Sequence, residues 1–185
     1  YFEKFGVRIT EGYGATECAP VISINSYMAH KSGSVGQILP GIETRIEHVE
    51  GIEEGGLLHV RGPNQMLGYL RADEPGRIDP PASTFGPGWY NTGDVVTIDE
   101  RGFLYIRGRV KRFAKVAGEM VSLEVAEGIA AAASPRFQHA AVAVEDKGRG
   151  DAILLATEDA GLGREQLVQA ARSLGLPELA IARRV

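Results

Sequence analysis

The sequence is poor in the features that mark special environments. Cys18 is the one cysteine, so no internal disulfide forms and the chain suits a reducing compartment. No apolar run approaches the ~20 residues that cross a bilayer, and no leader-type apolar segment stands near Tyr1. Histidine is scarce: His30, His48, His59 and His139 are scattered, none at metal-ligand spacing from another His, Cys or carboxylate. Basic runs are missing too, and the net charge of -4 argues against nucleic acid as the main partner. These absences make a cytoplasmic globular protein the expectation. Glycine, by contrast, is plentiful at 24 of 185 residues, which forecasts many turns. The chain also begins at Tyr1 without a methionine, which reads as a piece of a longer polypeptide.

The first ~108 residues read as strand-dominated. "GVRIT" (6–10) reads as a short buried strand feeding a glycine-rich loop. "IETRIEHV" (42–49) alternates, with Ile42, Thr44, Ile46 and His48 on one face, and pairs with "GLLHVRG" (56–62) as a hairpin. Residues 71–88, rich in Pro, Gly and Asp, read as a mobile loop, and 94–109 as a second hairpin around "DERG". From Arg109 the texture changes. Ser122 is placed to cap "LEVAEGIAAAA", whose Leu123, Ala126, Ile129, Ala130 and Ala133 share one face. Strands 139–145 and 151–158 flank the turn "DKGRG", and "REQLVQAARSLG" is a helix with Leu167, Val168, Ala171 and Leu174 inward and Gly175 as its stop. The fold class expected is α+β: a β-rich region, 1–108, and a small α+β domain, 109–185.

Three stretches carry candidate chemistry. In "EGYGATECAP" (11–20), Gly12 and Gly14 permit close backbone approach to a ligand, and Tyr13 offers a ring face to a base. Thr16 offers a hydroxyl and an N–H to a phosphate, and Glu17 the hard oxygen that Mg²⁺ prefers. Alone, the stretch is equally a structural turn with a buried tyrosine. In "GWYNTGDVV" (88–96), Asp94 follows a tight "TG" turn, and a carboxylate suits the two adjacent hydroxyls of a ribose; an isolated TGD is more often a solvated turn. In "IRGRVKRFAKVAGEMVSLEVAE" (106–127), Arg109 offers donors to the same ribose, while Arg107 and Arg112 read as a solvated basic edge. "KVAGEMVS" reads as a loop that moves, and Cys18 as a small apolar filler.

Taken in order, "GYGATE", "GSVGQILPG", "GPNQMLGYL", "WYNTGD" and "GRVKRFAKVAGEMVSLEVAE" resemble the adenylate-forming superfamily of acyl-CoA synthetases, peptide-synthetase adenylation domains and beetle luciferases. "GIEEGG", "KRFAKVAGEMVSLEV" and "LPELAIARR" look like the acyl-[acyl-carrier-protein] synthetase portion of bacterial bifunctional enzymes that pair it with a 2-acylglycerophosphoethanolamine acyltransferase. The resemblance implies ATP and Mg²⁺, a fatty acid substrate, and a phosphopantetheine thiol of acyl carrier protein or CoA as acceptor. It implies that Tyr13 stacks on adenine in a slot shaped by Gly12 and Gly14, that Thr16 meets the α-phosphate, and that Glu17 holds Mg²⁺. Asp94 and Arg109 then bind the ribose beside Ile106. Lys111 matches a hinge, and Lys115 with the "AGEMVS" loop (117–122) enters for thioester formation. The family's phosphate loop belongs upstream of Tyr1 and its adenylation lysine beyond Val185. The chain is therefore expected to be a truncated piece, inactive in adenylation alone. Any membrane association would come through the rest of the parent protein.

Overall fold

A computed structural model describes residues 2–7, 9–146 and 150–183. The chain divides into two units, Tyr1–Val49 with Glu54–Arg107, and Glu50–Glu53 with Gly108–Val185. Both are built of short strands and tight turns, and among the described residues α-helix is confined to the second, so the architecture is α+β. Among the described residues no helix is long and apolar enough to cross a membrane.

In the first unit β1 (Glu11–Gly14), β2 (Val21–Asn25) and β3 (Gln37–Ile38) form an antiparallel sheet in that order. β4 (Glu43–Glu47) and β5 (Gly56–Arg61) form the expected hairpin, with Glu43 opposite Arg61 and Glu47 opposite Leu57. β6 (Tyr69–Leu70) and β7 (Ile78–Asp79) make a separate two-stranded ladder. β8 (Tyr90–Ile98) and β9 (Leu104–Arg109) complete a second sheet, ordered β4-β5-β8-β9. Ile22, Leu58, Val60, Val96 and Leu104 pack with Cys18 as the core. Each such aliphatic side chain contributes about 1.5–3 kcal/mol by leaving water. The Val35 N–H donates to the Leu104 carbonyl (2.9 Å) and the Leu104 N–H to that of Gly36 (2.8 Å), joining the "GSVGQILPG" segment to β9.

Two expectations for this unit are corrected. The described residues of 6–10 form no strand: Val7 and Ile9 are exposed, so no burial rewards extension there. The glycine-rich stretch is itself the strand, β1. Residues 71–88 do not make one irregular loop, because β7 closes a hairpin with β6. Arg77 bridges Glu74 and Asp79, and Arg71 meets Asp73 and Asp79. Farther along, His59 is fully buried between Ser83 and Glu47, at 2.8 Å from each, and Phe85 lies edge-on to its ring.

The β8–β9 turn is held by Asp99. Its Oδ1 accepts the Arg101 and Phe103 N–H groups (2.9 and 3.0 Å), and its Oδ2 pairs with Lys31. The Lys31 ammonium and those N–H donors pull the Asp99 carboxyl down to about 2. The folded-state pKa lies below the unfolded value of about 3.9, so the contribution is complete above pH ~4 and disappears as the pH falls through 2. Urea titrations between pH 2 and 6 should show stability falling over that window. Asp99→Asn should flatten the decline, and an unchanged pH profile in the variant would remove Asp99 as its cause.

In the second unit β10 (Phe113–Val116) and β11 (Glu119–Ser122) pair as a hairpin. α1 (Leu123–Ala133) follows, then β12 (His139–Asp146), β13 (Gly150–Thr157) and α2 (Arg164–Leu174). The sheet order is β11-β10-β13-β12, and α1 packs on α2 and β12. Leu123, Ala126, Ile129 and Ala130 of α1 meet Ala141, Ile153, Leu155, Leu167 and Ala171 in the core. Residues 147–149 of the "DKGRG" turn lie outside the described residues.

Four sequence expectations are corrected in this unit. "AGEMVS" is not a loop throughout, since 119–122 are strand and the turn is only Ala117–Gly118. Both turn residues have positive φ (53° and 93°), the handedness that closes a two-residue hairpin, and a period-2 strand follows. Ser122 precedes α1 in extended geometry, but its side chain makes no capping bond. Leu174 is half exposed, with Ala170 taking the inward place at the end of α2. Arg112 is not a solvated edge. It donates to the Ala141 carbonyl (3.1 Å) and to Glu127 Oε1 (2.7 Å), which also accepts the Ala141 N–H (2.8 Å). Arg112 and Glu127 thereby occupy the backbone C=O and N–H of Ala141 on β12, an edge strand of the sheet.

Candidate functional site

The site is built where β1 turns into β2. Tyr13 faces Ser23 in the ladder, and the register shifts between Tyr13 and Gly14. The extra residue there is Ile22 of β2, and the chain folds so closely that a Cβ on Gly14 would stand 1.8 Å from the Pro20 carbonyl oxygen. That oxygen accepts the Ala15 N–H (2.8 Å), closing a turn whose residues Thr16–Cys18 form one 3₁₀ turn. Asn64 Nδ2 clamps the turn by donating to the carbonyls of Cys18 (2.6 Å) and Val21 (2.9 Å), and the Met66 N–H donates to the Glu17 carbonyl (2.8 Å). The segment "GPNQMLGYL" thus wraps the turn and fixes its backbone.

Glu17 is half-buried, and its Oε1 accepts the Tyr69 hydroxyl (2.9 Å). Burial first, and then the Glu17 charge, push the hydroxyls of Tyr69 and Tyr90 to higher pKa, so both remain donors beside the carboxylate. Cys18 is buried below. Burial and the neighbouring Glu17 raise its thiol to about 11, which leaves it unreactive at neutral pH.

Asp94 arrives from the second sheet, and not from a turn as the "TG" dipeptide led us to expect. It lies inside β8, where Leu58 alone faces Thr92, Gly93 and Asp94 between the pairs Leu57–Val95 and His59–Asn91. Gly93 has φ of 76°, a conformation that glycine adopts without strain. The extra residues re-aim the strand, as bulges do beside sites. The Thr92 hydroxyl donates to the Leu58 carbonyl (2.9 Å) and accepts the Asp94 N–H (3.1 Å). Asp94 is 6% exposed, and its Oδ2 accepts the Tyr13 hydroxyl at 2.7 Å.

Of the residues singled out in the sequence, Gly12, Tyr13, Gly14, Thr16, Glu17, Asp94 and Ile106 belong to the first unit. Tyr13 and Asp94 are in direct contact. Thr16 is exposed, and Ile106 stands partly exposed on β9. Arg109, Lys111 and Lys115 belong to the second unit. Arg109 ends β9, and Lys111 sits in the 3₁₀ turn Val110–Arg112. The Lys115 N–H donates to Asp151 (2.7 Å) and its ammonium to Glu50 (3.2 Å).

Among the described residues no group of three or more His, Cys, Asp or Glu side chains gathers as a metal site. Glu17 alone fits the protein share of a Mg²⁺ shell, because that ion commonly takes one or two carboxylates, substrate phosphates and water. Tyr69, Tyr90, Asn64 and Thr92 were not singled out from the sequence. The signal for the first and third was "GPNQMLGYL", recognised as a motif without roles for its residues.

Comparison with known proteins gives a consistent picture. Residues 1–70 match the sequence model of the family described as AMP-binding enzyme. A long-chain-fatty-acid–CoA ligase of Yersinia pestis is 36% identical over 170 residues, covering 88% of this chain and 29% of the ligase. O-succinylbenzoate coenzyme A synthetase of Bacillus subtilis superposes with a TM-score of 0.73 at 25% identity, over 99% of this chain and 39% of that one. ATP-bound MatB of Rhodopseudomonas palustris superposes at 0.69, also at 25% identity, over 97% and 37%. The chain thus spans less than a third of the ligase it matches.

Proposed function

We propose, from the premise that this chain belongs to the AMP-binding, adenylate-forming superfamily, that it forms part of an ATP-dependent fatty acid ligase. The observation that carries this reading is the buried Asp94 carboxylate, aimed by the β8 bulge and met by Tyr13 from the other sheet. A desolvated carboxylate accepts from the two ribose hydroxyls, and the aromatic ring beside it offers a face on which adenine stacks. The ATP complex of the structural neighbour and the fatty acid named for the curated relative support the two substrates.

In the first half-reaction a fatty acid carboxylate oxygen attacks the α-phosphorus of ATP and pyrophosphate leaves with the bonding pair, giving acyl-AMP. Asp94 accepts from the ribose hydroxyls, with Arg109 as a second ribose ligand and Ile106 as apolar lining. The Tyr13 ring stacks on adenine between Gly12 and Gly14, and the exposed Thr16 donates to the α-phosphate. Glu17, held by Tyr69, is the carboxylate for Mg²⁺, which when bound would offset phosphate charge. In the second half-reaction a phosphopantetheine sulfur attacks the acyl carbon, the C–O bond to phosphate breaks, AMP leaves and the thiol proton passes to solvent. The division of roles is between the regions 1–108 and 109–185, with Lys111 as hinge. Lys115 and residues 117–122 serve the thioester step.

The acceptor on the first reading is acyl carrier protein, supported by the resemblance of "KRFAKVAGEMVSLEV" to acyl-[acyl-carrier-protein] synthetases, and the acylated product then feeds lysophospholipid acylation. The second reading, CoA as acceptor, is favoured by the 36% identity to a CoA ligase. Mass spectrometry on the full-length protein carrying this sequence, given ATP, palmitate, holo-carrier protein and CoA, decides between them. Loading of carrier protein supports the first, and transfer to CoA alone removes it. No acyl-AMP and no thioester would remove both.

A further inference from the structure

Ala19 stands in the turn that follows β1, and its backbone is strained. Its φ of 46° and ψ of 58° are left-handed, a conformation that crowds the Cβ of an L-residue against its own carbonyl oxygen. Pro20 follows, and a proline drives the residue before it toward extended backbone. Ala19 is exposed, so no packing of its side chain offsets the strain. What opposes it is Asn64. One amide nitrogen donates to carbonyls on either side of Ala19, those of Cys18 (2.6 Å) and Val21 (2.9 Å). Both partners are acceptors, so the amide must present its nitrogen here, and the NH₂ group has one proton for each.

Resting on the function proposed above, we propose that Asn64 is a positioning residue for the Thr16–Glu17 segment. It grips the chain on both sides of a residue that would otherwise straighten, and so holds the backbone of Thr16 and Glu17 where the phosphate end of a nucleotide meets it. Asn64 acts through the turn and not by touching the nucleotide. The Met66 N–H holds the Glu17 carbonyl (2.8 Å) and the Ala15 N–H holds that of Pro20 (2.8 Å), so other bonds tie the ends of the turn while Asn64 ties its strained part. A glycine at position 19 has no Cβ to crowd, so strain and clamp are separable by substitution.

The test is calorimetric binding of ATP with Mg²⁺, and of adenosine, to the full-length protein carrying this sequence, with amide hydrogen exchange over residues 15–21. The variants are Asn64→Ala, Asn64→Asp, which keeps the shape and has no N–H to give, and Asn64→Ala combined with Ala19→Gly. Both single variants should exchange faster over 15–21 and lose about ten-fold in ATP affinity, the scale of one to two hydrogen bonds, while adenosine binds as before. The double variant should recover most of the ATP affinity. Equal losses for ATP and adenosine, or exchange that stays at the wild-type rate, overturn the positioning role, because a merely structural role weakens both ligands alike. A loss that Ala19→Gly leaves in place overturns the part assigned to strain. If wild type binds no ATP, the nucleotide reading falls, and this proposal with it. Failure of the positioning role alone leaves wild-type ATP binding that the Asn64 variants share.

Discussion

Asp94→Ala in the full-length protein carrying this sequence is expected to weaken AMP binding on the order of 100-fold. The carboxylate is buried, so hydrogen bonds from a ribose to it form away from competing water, and bonds to a charged group are each worth about 1.5–3 kcal/mol. The same change leaves the Tyr13 hydroxyl without the acceptor it now uses, at a cost to folding of about 1–3 kcal/mol. The two effects separate in a double variant. Tyr13→Phe with Asp94→Ala removes both members of the bond, and its stability should recover toward wild type while nucleotide affinity stays low. Equilibrium unfolding and calorimetry on the same four proteins measure both quantities. Nucleotide affinity that returns together with stability would mean that Asp94 acts only through the fold.

What the sequence disclosed about this site was residue type and order, and what it concealed was how the backbone aims those residues. Tyr13, Glu17 and Asp94 stand out because a tyrosine between glycines and a carboxylate after "TG" are uncommon, and the hairpins 42–62 and 94–109 follow from alternation and turn residues. At the site one cause recurs: glycine reads as loop or turn, whereas Gly12 and Gly14 are residues of β1, with a register shift just before Gly14, and Gly93 lies inside β8, where it permits a bulge and the ladder continues on either side. "AGEMVS" failed for a related reason: only Ala117 and Gly118 turn, and the alternation that resumes at Glu119 was hidden by the glycine before it. Tyr69 and Asn64 went unassigned because their partners, Glu17 and the Cys18 carbonyl, lie 52 and 46 residues away. Periodicity reports on near neighbours and cannot supply such pairings.

Gly14→Ala carries the largest expected structural penalty, because the close approach that places Tyr13 depends on a missing side chain. A Cβ there meets the Pro20 oxygen at 1.8 Å, its carbon at 2.7 Å and the Val21 Cα at 3.0 Å, all of them backbone atoms that cannot rotate aside. The added methyl must push the 14–21 turn open, breaking the Ala15–Pro20 hydrogen bond that closes it and moving the neighbouring Tyr13 away from Asp94. Overpacking against rigid backbone costs about 3 kcal/mol or more, which for a unit of this size is roughly 12–24 °C in Tm. Gly33→Ala is the matched control. Its φ of 79° strains an alanine, yet nothing lies within 4 Å of the new Cβ, so the loss should stay near 1–2 kcal/mol. Thermal unfolding followed by circular dichroism, with AMP binding on each variant, should show Gly14→Ala losing both stability and nucleotide while Gly33→Ala keeps its affinity. Equal behaviour of the two variants would mean that general backbone strain, and not the closeness of β1 to the Pro20 carbonyl, sets the shape of the site.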